Sequence, residues 1–142
     1  HLNQYAAYYH ENFRTKIKNT TFTTPAENFI SSPLGRSAWK SMKLGNANNV
    51  KRKMKSPKLY NPRLDKKLVS GKDVNQFEEN LIQLSEIIDS AQKVNLRRIK
   101  IPISISKIIR LRLGDALLFV VYHNQRHVQQ ALNVLANPKF PQ

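Results

Sequence analysis

Residues 120–135 read VVYHNQRHVQQALNVL and contain the most informative pattern in the chain. Apolar residues recur here at helical spacing, and His123 and His127 occupy positions where a buried helix face would carry Leu or Val. Four residues is just over one helical turn, so both imidazoles leave the same face and can reach one point. An unpaired buried polar group costs roughly 1–3 kcal/mol, so both rings need partners. A divalent metal ion would satisfy them together, and ordinary core hydrogen bonds are the competing interpretation.

The amino-acid composition and the residues next to these histidines limit the kind of metal site that they can form. The chain has no cysteine, which excludes thiolate ligands. Asn124 stands where the HExxH metalloprotease helix carries its catalytic Glu, so that chemistry is not predicted. A catalytic metal site commonly has three protein ligands and an open position for water or substrate. A third ligand is therefore expected from elsewhere in the chain.

The other two histidines lie on the opening segment, which predicts a helix from residue 1 to about residue 19. His1 extends the edge shared with Tyr5, whereas His10 lies on a more polar side. Periodicity therefore favours His1 as the inward residue and predicts that His10 is a solvated surface residue. Tyr5 could line the pocket or simply belong to the core.

Two residues of the last helix are further candidates. Gln130 lies one turn past His127 on the same side and could orient a ligand, although a half-exposed helix residue is the alternative. Arg126 is predicted to be a surface or salt-bridging residue. Asp115 lies two turns from His123 and is predicted to be an acid at the helix start. No general base, phosphate loop or Ser–His–Asp arrangement is identified, so the catalytic residues remain unknown.

The last helix resembles that of the DinB/YfiT-like superfamily. That helix typically reads Leu-Gly-Asp, an apolar stretch, and then His-x-x-Arg-His-x-x-Gln. The matching positions here are Leu113, Gly114, Asp115, His123, Arg126, His127 and Gln130. Residues 1–5 (HLNQY) are similar to the family's second helix, whose His supplies the third ligand. Residues 53–62 are similar to a crossover of one subgroup that carries lysine and proline.

The resemblance implies both a fold and an activity. The implied fold is all-α, an up-down-down-up four-helix bundle with a long crossover, whose first helix would lie upstream of residue 1. The implied site is a three-histidine centre of His1, His123 and His127 that holds a divalent metal ion, Zn or Ni being the expected ions. The implied activity is that of a hydrolase or a thiol S-transferase acting on a small molecule. A homodimer is also expected from the resemblance.

The length, charge and composition of the chain limit the other functions that its sequence allows. Residues 1–142 are expected to form one domain. The net charge of +15 favours contact with polyanions, and residues 36–67 hold eleven Lys or Arg and one acid. A basic nucleic-acid-binding protein is therefore the alternative function, although aromatic residues do not alternate with the basic ones as base stacking would need. A second alternative is a helical bundle whose metal site is vacant and not catalytic. No stretch is long and apolar enough to span a bilayer, and we expect a cytoplasmic protein with no membrane partner.

Outside the first helix, the predicted organisation is as follows. Residues 34–44 predict a short helix with Trp39 and Met42 turned inward, within a long crossover over residues 21–70. Two long amphipathic helices are predicted over about residues 72–94 and 114–136, and Asn137 and Pro138 would stop the second. Residues 99–106 (IKIPISIS) alternate as a strand does. Because Pro102 interrupts them and no partner strand is evident, they are predicted to form an extended segment along the bundle.

Overall fold

The structure is a computed structural model that describes residues 1–45, 54–58, 61 and 70–141. These residues form helices α1 (Leu2–Lys18), α2 (Pro33–Met42), α3 (Gly71–Ala91) and α4 (Leu113–Leu135), and strands β1 (Lys100–Ile103) and β2 (Ser106–Arg112). The protein is therefore mostly helical, as predicted, and each predicted helix is present within three residues of its expected ends. Residues 46–53, 59–60 and 62–69, and with them much of the predicted basic crossover, lie outside the described residues.

Local sequence explains where α2 and α3 begin. Ser32 precedes α2 and its hydroxyl accepts a hydrogen bond from the Gly35 backbone N–H at 3.0 Å, while Pro33 supplies a helical φ at the first position. Ser70 precedes α3, and its backbone N–H donates to the carboxylate of Asp73 at 2.8 Å. That bond is half of a capping box, and it fixes the entry that the sequence predicted near residues 70–71.

Asp115 joins α2 to α4. This residue lies in the first turn of α4, as predicted, and is fully buried. Its carboxylate accepts hydrogen bonds from the backbone N–H of Ser32 at 3.0 Å and from the Ser32 hydroxyl at 2.9 Å. A Cβ on Gly35 would overlap this carboxylate, so the close approach of the two helices requires glycine there. Asp115 is thus a structural anchor that fixes where α4 starts.

The fold is mostly helical but not all-α, because residues 100–112 form an antiparallel β-hairpin. Lys100 pairs with Arg112 and Pro102 pairs with Arg110, and the register shifts after Pro102. Residues 99–106 were predicted to be extended without a partner strand. The structure instead pairs β1 with β2, the strand that follows it along the chain. Ile101 and Leu111, on the inner face, are 0% and 3% exposed, so the hairpin covers one end of the core.

The core lies between α1, α4 and the hairpin, with the second half of α3 closing one side. The apolar residues that form it are Tyr5, Tyr9, Phe13, Leu84, Ile87, Ala91, Val94, Ile99, Ile101, Leu111, Leu113, Ala116, Leu117 and Val120. In α2, Met42 is buried as predicted, and Trp39 is half-buried with its indole ring stacked on Tyr122 at 5.7 Å between centroids. These contacts place the middle of α4 against α1 and α2.

Part of the predicted apolar stripe on α3 and α4 is exposed. Val74 and Leu81 on α3 are 52% and 40% exposed, and Val128 on α4 is 46% exposed. Leu81 and Val128, together with Phe77 and Val121, line a groove of about 480 Å³ between the two helices. The groove is separate from the histidines. Among the described helices, none is both long enough and apolar enough to cross a bilayer.

Candidate metal centre

Three histidines converge from opposite ends of the chain. His1 immediately precedes α1, whereas His123 and His127 lie one turn apart on α4. The Nε2 atom of His123 lies 3.3 Å from Nε2 of His1 and 3.1 Å from Nε2 of His127. Each residue offers one ring nitrogen within 4.8 Å of the other two. Within the described part of the chain, the cluster holds no carboxylate and consists of imidazoles alone.

The spacing of these nitrogens matches a shared ion. Two ligands of a tetrahedral zinc ion, each about 2.0–2.1 Å from the metal, lie about 3.3–3.4 Å from one another. The two Nε2–Nε2 distances to His123 are close to this value. The third side of the triangle, between His1 and His127, is no longer than 4.8 Å. The donor set is three neutral nitrogens, which suits zinc, nickel and other nitrogen-preferring divalent ions.

Hydrogen bonding among the rings is a poorer explanation of the same geometry. The Nε2 atom of His123 faces both of the other Nε2 atoms. An imidazole nitrogen either donates one proton or accepts through one lone pair, so it makes one good hydrogen bond and not two. One of the two close Nε2–Nε2 contacts of His123 would then lack a hydrogen bond. A cation at the centre lets all three lone pairs point at the same atom.

The surroundings of His123 and His127 favour the neutral form of their rings, which is the form that binds metals. Burial lowers the pKa of His123 to about 3, and the positive charges of His127 and Arg126 add to this effect. Burial also lowers the pKa of His127, again with the help of the Arg126 guanidinium. A metal ligand must be deprotonated at the coordinating nitrogen, so a lowered pKa extends metal binding to more acidic solutions.

Ser56 fixes the orientation of His1. Its hydroxyl lies 3.2 Å from Nδ1 of His1, on the side of the ring opposite the cluster. If Nδ1–H donates to this hydroxyl, the remaining lone pair is on Nε2 and points at the other two histidines. Hydrogen bonds of this kind, from the second ring nitrogen of a ligand to an outer group, orient the histidines of many metal sites. Ser56 lies within residues 53–62, the segment that is similar to a crossover, and the sequence predicted no role for it.

Two aromatic rings pack against the cluster. Tyr5 is buried, and its ring centroid lies 4.6 Å from that of His123 and 4.9 Å from that of His1. Phe119 lies 5.7 Å from the His123 ring. Tyr5 thus lies beside the cluster and also belongs to the apolar core, so both alternatives given for it describe its position. Gln130 is half-buried one turn beyond His127, and in the described part of the chain no hydrogen bond joins it to the three histidines.

The prediction that His10 is a solvated surface residue is wrong, because His10 is only 4% exposed. Arg126 is also 4% exposed, which contradicts the surface alternative predicted for it, while the salt-bridge alternative stays a prediction. Burial lowers the pKa of His10, and a hydrogen bond with Gln83 opposes this effect. The polar side of α1 faces α3 rather than water, as the 3.1 Å bond between Asn80 and Asn3 also shows. Periodicity identified that side as polar but could not identify a polar helix interface.

Comparison with family models, with curated protein sequences and with solved structures finds no match for this chain. The interpretation of the site therefore rests on its own geometry and on the sequence resemblance described above.

Proposed function

We propose that the protein is a metal-dependent enzyme of the DinB-like kind, a hydrolase or a thiol S-transferase. Its site would be a divalent ion held by His1, His123 and His127. The observation that carries the proposal is the meeting of three Nε2 atoms from the two ends of the chain, at 3.1 and 3.3 Å from the central one. The resemblance of α4 to the last helix of that superfamily supports the same assignment. The finer fold, a DinB-like four-helix bundle, is part of the proposal.

The residues around the cluster would prepare it to bind the ion. Ser56 holds the His1 ring so that Nε2 faces inward. Tyr5 packs against His1 and His123 and limits the rotation of both rings. The buried Arg126 guanidinium disfavours a second positive charge on His123 and His127, so their lone pairs stay available. When bound, the ion would supply Lewis acidity to a small-molecule substrate at the remaining open position.

Metal analysis of protein purified without an affinity tag tests the binding site. The parent protein is expected to hold about one divalent ion per chain, and His123→Ala and His127→Ala are expected to lose it. His10→Ala is the matched control, because it removes a buried histidine that lies outside the cluster. If the two α4 variants keep as much metal as the parent, or if His10→Ala loses it equally, the proposal is wrong.

A second experiment tests the reaction class. Metal-loaded protein is assayed for conjugation of a low-molecular-weight thiol with an aryl chloride, and separately for hydrolysis of an activated ester. Activity is expected to disappear with chelation and with His123→Ala, and to survive in His10→Ala. Metal binding that comes with neither activity would favour a non-catalytic site. High affinity for DNA at physiological salt, unaffected by chelation, would favour the nucleic-acid alternative instead.

A further inference from the structure

The β1–β2 hairpin presents an apolar tip on a basic face. Ile105, in the turn, and Ile108, early in β2, are 66% and 92% exposed. Successive side chains alternate between the two faces of a strand. Because Leu111 points into the core, the neighbouring Arg110 belongs to the outer face, and Ile108, which lies beyond the register shift, is assigned to that face by its own 92% exposure. Lys100 lies on the same outer face, in register with Arg112. We call Lys100, Ile105, Ile108 and Arg110 the hairpin surface.

The charge around this surface has one sign. Residues 90–114 contain seven Lys or Arg and no Asp or Glu. Lys100 and Arg110 are both exposed, and the register places Lys100 directly opposite the basic Arg112. Like charges directly opposite each other destabilise a sheet. An anionic partner would reduce this repulsion, and the Arg112 guanidinium also donates to the backbone carbonyl of Ile30 at 2.6 Å.

The hairpin is held firmly enough to present this surface. The Tyr8 hydroxyl donates to the backbone carbonyl of Ile103 at 3.2 Å. The backbone N–H of Ser104 donates to the Tyr9 hydroxyl at 3.4 Å, and Tyr9 is itself 1% exposed. The base of the turn is thus bonded to α1, and the two isoleucines project beyond it. Their exposure follows from the position of the tip.

We propose that the hairpin surface binds an anionic lipid bilayer peripherally, with Ile105 and Ile108 in the headgroup–acyl boundary. Lys and Arg side chains at that depth contact anionic headgroups, while apolar side chains leave water, so one partner satisfies both features. The sequence-based expectation of no membrane partner rested on the lack of a spanning stretch, which peripheral binding does not need.

Other partners fit the same residues less well. Nucleic acid would use the basic side chains, but residues 93–112 contain no aromatic residue to stack on bases, and two exposed isoleucines would stay in water. A second copy of the chain would bring two basic hairpins together without compensating acids. The bilayer is the partner that removes the isoleucines from water and neutralises the charge.

Cosedimentation of the full chain with lipid vesicles tests the proposal. We expect binding to vesicles of phosphatidylcholine with phosphatidylglycerol, and much weaker binding to phosphatidylcholine alone. Ile108→Ser should weaken binding roughly tenfold, the loss expected for one buried isoleucine side chain. Ile82→Ser is the matched control, because Ile82 is 64% exposed on the acidic helix α3 and should leave binding unchanged. Arg110→Gln should weaken binding, and added salt should do the same.

Further measurements separate insertion from simple charge attraction. Ile108→Trp should gain blue-shifted fluorescence with the anionic vesicles, whereas Ile82→Trp should not. Chelation of metal should change neither result, so this test is independent of the histidine site. No binding to either vesicle type would overturn the proposal. Equal binding of Ile108→Ser and the parent would also overturn it, as would tight binding to a DNA duplex without vesicle binding.

Discussion

The first half of α4 (residues 113–122) and its second half (residues 123–135) contact the rest of the molecule in different ways. In the first half, Leu113 and Ala116 are fully buried in the apolar core, and Asp115 is bonded to Ser32. In the second half, His123 is 6% exposed among other imidazoles, while Leu132, five residues beyond His127, is 51% exposed. Packing therefore explains the sequence of the first half. It does not explain two polar rings in the second, which points to a requirement other than stability.

Truncating one leucine in each half should give the largest contrast. Leu117 is 8% exposed and Leu132 is 51% exposed on the same helix. Leu117→Ala should reduce the free energy of unfolding by about 3 kcal/mol, because it leaves a cavity in the core. Leu132→Ala should change it by about 0.5 kcal/mol or less. Denaturant titration measures both. Equal effects would mean that the second half is packed as tightly as the first.

A divalent metal should stabilise the molecule through the second half alone. Free zinc at a hundred times its dissociation constant should raise the free energy of unfolding by about 2.7 kcal/mol, because it binds only the folded chain. Leu117→Ala, in the first half, should keep this increment as long as it folds. His123→Ala should lose it. Thermal unfolding with and without zinc gives the measurement, and an increment retained in His123→Ala would contradict the assignment.

Acid should destabilise the metal-free protein through the same histidines. Burial lowers the pKa of His123 to about 3, below the ordinary value of 6.5. The unfolded chain therefore binds a proton that the folded chain does not, and the stability present above pH 6.5 is lost as the pH falls toward 3. The slope should reach about 1.4 kcal/mol per pH unit for each such histidine.

His123→Gln should flatten this slope when unfolding is followed between pH 7 and pH 4.5 in the presence of a chelator. Acid-induced changes at carboxylates occur in both proteins and cancel in the difference. Burial also lowers the pKa of His10, so His10→Gln should remove a separate part of the slope. An identical slope in the parent and in His123→Gln would show that the pKa of His123 is the same in the folded and the unfolded chain, and would contradict this prediction.

The sequence predicted features that depend on one helix, such as the shared face of His123 and His127 on α4. It missed features that depend on contacts between elements. Helical periodicity placed His123 and His127 on one face, because a spacing of four residues fixes that geometry within a single element. The burial of His10 depends on Gln83 and its neighbours on α3, and periodicity within α1 carries no information about which helix packs on its polar side.

The hairpin and the His1 contact show the same limit. Alternation identified residues 99–106 as extended, but a strand needs a partner, and only the fold shows that Ile101 pairs with Leu111. The meeting of His1 with His123, 122 residues apart, was expected mainly from the resemblance to a known family. The contact of Ser56 with His1 had no sequence signal, because a single serine in a basic segment matches no motif.

Ser56 offers the smallest and most specific test of how the second half of α4 becomes a metal site. Ser56→Ala removes the hydroxyl next to Nδ1 of His1, so one of the contacts that orient Nε2 of His1 toward the cluster is lost. Loss of such an outer partner typically weakens metal binding by about 10–100-fold. Titration with zinc measures the affinity. Ser56→Thr, which keeps the hydroxyl, should restore it.

Ser41→Ala is the matched control for this variant. The Ser41 hydroxyl donates to the carbonyl of Ala38 within α2, away from the histidines. Its removal should leave the zinc affinity unchanged. If Ser56→Ala binds zinc as tightly as the parent, the Ser56 hydroxyl does not orient the His1 ring, and packing against Tyr5 is the contact to test next. In that case Tyr5→Leu, which removes the ring but stays apolar, should weaken zinc binding where Ser56→Ala does not.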